Sequence, residues 1–107
     1  MTAQFGLYVA DGNLVSDRDI QHVQYYLRDY GLVLDIHFSP EGAARLSEVT
    51  RQNVGKRLAI IIESELVTAP VISGPLKTDR IQLALPQADL PQGSADRIVR
   101  AIRGRWP

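Results

Sequence analysis

The sequence predicts an α+β fold: a mostly antiparallel sheet of about five to six strands with two helices on one face. Three observations point there. Residues 32–38 alternate cleanly between two faces, Ser39-Pro40-Glu41 is a strong helix start, and the chain order reads strands, helix, strands, helix. At 107 residues, 45% hydrophobic and without cysteine, one domain spanning residues 1–107 suffices, with a core that needs neither disulfide nor metal.

Gln4 to Val9 is rich in strand formers and runs into the turn signal Asp11-Gly12-Asn13. Ser16 to Asp19 reads as a capped half-turn, after which residues 21–27 alternate with Val23, Tyr25 and Leu27 on one face. Arg28 to Gly31 supplies a turn. The next strand puts Leu32, Leu34, Ile36 and Phe38 on one side and Val33, Asp35 and His37 on the other, so the two strands should form an antiparallel hairpin.

Ser39 can cap free amides, Pro40 fits the first helical position, and Glu41 suits the positive helix end. The helix is expected from Pro40 to about Val54, with Ala43, Leu46, Val49, Thr50 and Val54 inward and Gly55 as its cap. Leu58 to Ile62 is a continuous apolar strand, expected to be covered on both faces. Leu66 to Ile72 contains Pro70, which cannot donate a ladder hydrogen bond, so that strand belongs at an edge with a break at Pro70. Arg80 to Leu85 is the last strand. Ser94 should cap a final helix from Ala95 to about Arg103, with Ala95, Ile98, Val99 and Ile102 inward and arginines outward.

Twelve basic and twelve acidic side chains balance to a formal charge of zero, which removes any net attraction to nucleic acid or anionic lipid. The halves differ. Residues 1–53 hold seven acids and four arginines, and residues 54–107 hold five acids and eight bases, making the first half acidic and the second basic. The longest apolar run, Leu58 to Ile62, is far short of a bilayer span, and Met1 opens no signal-like segment, so an exported chain would be a processed form.

Catalytic chemistry finds little support. His37 and Asp35 share a strand face and His22 lies on the neighbouring strand, but no third metal ligand follows, and they read as solvent-facing polar residues. Glu63 and Glu65 read as ionised turn charges. The arginines of the last helix, with Trp106 nearby, could suggest nucleic acid, yet cations suit a helix C-terminus without any ligand. No phosphate loop or nucleophile motif occurs, so no enzyme activity, cofactor, metal or nucleic-acid partner is expected.

Four short segments occur in a telling order: Pro40-Glu-Gly-Ala43, Thr50-Arg-Gln-Asn-Val-Gly-Lys56, Leu58-Ala-Ile60 and Ala69-Pro-Val-Ile72. Together with Ser16 to Ile20 before them, they resemble the head of the first periplasmic domain of SecD, the membrane-embedded accessory subunit of the bacterial export channel. The likeness covers roughly residues 16–76. Glu63-Ser64-Glu65 stands where that family usually has an Asp-Gly turn, and Leu76 to Asp79 where it has a glycine-rich loop.

The resemblance implies a SecD-head-like, or more generally ferredoxin-like, arrangement in a periplasmic or otherwise exported protein. It implies a non-catalytic module that binds extended polypeptide or a protein partner. A strand edge suits that role, because its unpaired backbone groups accept an added strand with little regard to sequence. The expected site is Leu66, Val67, Thr68, Ala69, Pro70, Val71 and Ile72, with Leu76 and Ile81 adding apolar contact. The alternative is an assembly domain that self-associates, or packs on an envelope partner, without unfolded clients. A monomer or weak homodimer is expected.

Overall fold

The computed structural model describes residues 5–8, 14–62, 65–90 and 92–106. Its strands are β1 (Phe5–Tyr8), β2 (Leu14–Ser16), β3 (Ile20–Arg28), β4 (Gly31–Phe38), β5 (Ala59–Ile62), β6 (Glu65–Thr68) and β7 (Arg80–Pro86). The helices are α1 (Pro40–Gln52) and α2 (Ser94–Arg105), with 3₁₀ turns at Asp17–Asp19 and Gln87–Asp89. The α+β class and the antiparallel pairing stand as read. The strands, however, form two sheets, one in the order β2-β1-β5-β6 and one in the order β3-β4-β7.

The β3–β4 hairpin has the expected register, with Val23 opposite Ile36, Tyr25 opposite Leu34 and Leu27 opposite Leu32. Val23 is buried, whereas Leu27, on the edge strand, is exposed although Leu32 opposite it is buried. β4 then uses its other edge to pair with β7, setting Ile36 opposite Ile81 and Leu34 opposite Leu83. Both edges of β4 are thereby filled, so β1, β2, β5 and β6 pair among themselves. Inward residues of both sheets meet Leu46 of α1 and Ile98 and Ile102 of α2 in one apolar cluster.

Helix α1 starts as the sequence requires. Ser39 Oγ accepts the Gly42 N–H at 3.0 Å, and Pro40 occupies the first turn. It stops two residues early, at Gln52. The buried Asn53 becomes the cap and donates its side-chain amide to the Val49 carbonyl at 2.7 Å, so Val54 turns outward instead of closing the inward stripe. Gly55, at φ +91°, follows the cap.

Helix α2 also begins differently. Gly93, at φ +83°, takes the cap position, and Ser94 is the first helical residue, its hydroxyl directed to Glu65 and not to the helix amides. Ala59 and Ile61 of β5 are only half-buried, since no layer covers the outer face of that sheet among the described residues. The turn expected at Asp11 to Asn13 lies outside the described residues. Leu14–Ser16, just before the half-turn, pairs with β1 as an edge strand.

Candidate functional site

The expected binding edge begins where α1 ends. Gly55 N–H donates to the Ile72 carbonyl at 2.7 Å, Ile72 N–H to the Lys56 carbonyl at 2.8 Å, and Leu58 N–H to the Pro70 carbonyl at 2.8 Å. Arg57 pairs with Val71 across this short ladder, and its guanidinium donates to the Ala69 carbonyl at 2.8 Å. Residues 69–72 are therefore fastened along 55–58 on one side. Pro70 lacks only an N–H, while its carbonyl accepts a bond, which is how a proline is accommodated at such an edge.

β6 continues this line as the terminal strand of the four-stranded sheet, with Leu66 opposite Ile61 and Thr68 opposite Ile60 across a bulge. Leu66 is 58% exposed and Val71 is 53% exposed, while Val67 packs against the core. Pro70 is exposed, and Thr68 and Ala69 are half-buried. Ile72 is buried with both backbone groups bonded. Leu76 is half-buried, and its N–H donates to Thr50 Oγ1 at 2.9 Å. Ile81 lies in β7 of the other sheet, half-buried opposite Ile36. The fold thus brings residues 66–71 to one edge, holds Ile72 and Leu76 behind it, and places Ile81 elsewhere.

Glu65, read from sequence as a turn charge, opens β6 and fixes α2 to it. Its Oε1 accepts the Ser94 hydroxyl at 2.5 Å, and Arg97 Nη2 approaches Oε2 at 3.3 Å. The Ser94 hydrogen bond holds the Glu65 carboxyl below its ordinary range; burial opposes the shift and Arg97 adds to it. Glu63 lies outside the described residues.

Asp19 organises the opposite end. Its buried Oδ2 accepts the Ser16 N–H at 3.1 Å and Arg45 Nη1 at 3.2 Å, while its carbonyl accepts the Ser39 N–H at 2.9 Å. Gly42 packs on the same residue: a Cβ there would stand 2.3 Å from the Asp19 carbonyl oxygen. The glycine after Pro40-Glu41 thus serves close approach of the helix to the 3₁₀ turn.

On the outer face of β4, Asp35 is not solvent-facing as expected but only 6% exposed. His37 Nε2 and Arg80 Nε each stand 3.6 Å from its carboxylate, whose Oδ1 makes no hydrogen bond. His22 sits opposite His37, with ring centroids 6.2 Å apart. Among the described residues, no three potential ligands converge on a metal position. No helix there is long and apolar enough to cross a membrane.

Residues 3–89 match the family model described as the SecDF P1 head subdomain. The chain is 56% identical over 39 residues to the protein translocase subunit SecDF of Thermus thermophilus, covering 36% of this chain and 5% of that protein. It is 33% identical over 72 residues to the protein translocase subunit SecD of Sebaldella termitidis, covering 67% of this chain and 17% of that protein. A solved structure of SecDF, described as a membrane component that enhances protein export, aligns with TM-score 0.63 at 30% identity over 81% of this chain and 37% of that one. A structure of SecDF in the super-membrane-facing form aligns with TM-score 0.64 at 29% identity over 85% of this chain and 12% of that one. The chain therefore spans a small part of the relatives it matches.

Proposed function

Since the chain belongs to the SecDF P1 head subdomain family, we propose that it is a non-catalytic interaction module of protein export, acting on the periplasmic or otherwise exported side of the membrane. Its ligand is extended polypeptide, taken along Leu66 to Val71. The observation that carries this reading is the position of β6 at a sheet end, with Leu66 and Val71 exposed beside backbone that has no further strand among the described residues. An incoming strand would find main-chain donors and acceptors there, and apolar contact at alternate positions. Pro70 limits the length of that pairing, which suits brief, sequence-tolerant holding of a moving chain.

A second reading has its own support. Ile61 and Leu66 lie opposite one another on the uncovered face of the four-stranded sheet, so that face could pack on an envelope partner or on a second copy. Amide chemical-shift titration with an unfolded, proline-free peptide tests the first reading, and the expected response includes residues 65–72. A silent edge there, together with a concentration-independent dimer by light scattering, would favour the second.

A further inference from the structure

Four strands end the two sheets, and three of them offer an added strand only a short or proline-bounded stretch. β2 has three residues, β6 has four and is followed by Pro70, and β7 starts on Arg80 and ends on Pro86. β3 differs. Its nine residues hold no proline, lysine or acid, and no strand besides β4 pairs with it among the described residues. A bulge at its start leaves His22 to Arg28 in regular register. Along that stretch the devices that usually blunt an exposed edge come down to one charge, Arg28 at its far end.

A groove of about 280 Å³ lies beside it, lined by residues 22–26 of β3 and by Ile102 and Trp106 at the end of α2. Successive residues of a strand point to opposite faces, so a groove that touches five in a row follows the backbone edge itself. Ile102, buried in the core, lies at the floor of the groove, and the half-buried Trp106, one helical turn on, gives it an apolar wall. The flanking charges are mainly basic: β3 ends on the exposed Arg28, and α2 carries Arg100 and Arg103 as exposed residues beside Asp96.

We propose that the β3 edge takes an extended polypeptide segment as a fourth strand of the three-stranded sheet. The segment is apolar at alternate positions, set against Trp106, and carries acidic residues at its flanks, where they meet Arg28, Arg100 and Arg103. This goes beyond the edge assigned above and rests on that reading only for the nature of the ligand. A second copy of the chain is the poorer occupant, because pairing through β3 would set like arginine-rich flanks beside each other.

The probe is a nine-residue peptide of alternating valine and threonine flanked by two glutamates, titrated into the isotope-labelled protein. Amide shifts along residues 21–27 and a shift of the Trp106 indole are expected. N-methylating every second peptide residue should weaken binding at least tenfold in the phase whose N–H groups face β3 and little in the other; exchanging the flanking glutamates for lysines should weaken it at least threefold, and Trp106→Ala at least fivefold. Undiminished binding by both methylated peptides overturns the proposal, and that result does not depend on how Trp106→Ala folds. So do shifts confined to residues 65–72, which would leave the β6 reading standing, and concentration-dependent shifts of 21–27 without peptide, which would give the edge to a second copy. Shifts at 21–27 with none at 65–72 support this edge and remove the other, and silence at both overturns both.

Discussion

Asp19 and Gly42 show how much of this molecule rests on single close approaches. Gly42 leaves no room for a methyl group against Asp19, whose carbonyl and carboxylate already hold Ser39, Ser16 and Arg45. Gly42→Ala is expected to force α1 away from the 3₁₀ turn and to cost about 2 kcal/mol, as overpacked sites do, measurable as a lower urea midpoint with an unchanged slope. An unaltered midpoint would mean that the helix can shift without loss. The order Pro40-Glu41-Gly42-Ala43 was legible as a helix start, but the purpose of its glycine was not. What Gly42 avoids lies more than twenty residues earlier in the chain. Asp35 was misread for a similar reason: alternation assigns it to the outer face correctly, yet on the central strand it is buried like Val33 beside it, with Arg80 and His37 each 3.6 Å from its carboxylate.

At the level of elements, local signals served best where local chemistry decides. Pro40, the alternation of residues 32–38 and the turn before Gly31 each fixed an element. The end of α1 was misjudged because Asn53 caps it through its own side chain, and the start of α2 because Ser94 turns to Glu65, a partner twenty-nine residues away. That contact makes the attachment of α2 acid-sensitive. The Glu65 carboxyl titrates lower when folded than when unfolded. Its contribution is therefore complete above the unfolded value and disappears as the pH falls through the folded one. Glu65→Gln should melt a few degrees below the parent protein near pH 7, and the difference should close below about pH 4. A gap independent of pH would show that the carboxylate charge is not what holds the helix.

For the whole molecule, the division into two sheets was the least legible feature, because it follows from which distant strands fill both edges of β4. The position of β6 at an edge was legible through Pro70, whereas the groove under β3 was not, since Trp106 and His22 meet only in the folded chain. Both sheets share one apolar cluster, so they should unfold together. Leu34, fully buried in β4, offers the test. Leu34→Ala should cost about 3 kcal/mol, with circular dichroism and Trp106 fluorescence reporting one coincident transition; separate transitions would mean that the sheets are independent. The order β2-β1-β5-β6 has a temporal consequence as well. Phe5–Tyr8 is synthesised some fifty residues ahead of its inner neighbour Ala59–Ile62. Until then β2 is the one partner, among the described strands of its sheet, that β1 can have, and the pair waits, strand-like but unfinished, for the later strands that complete it.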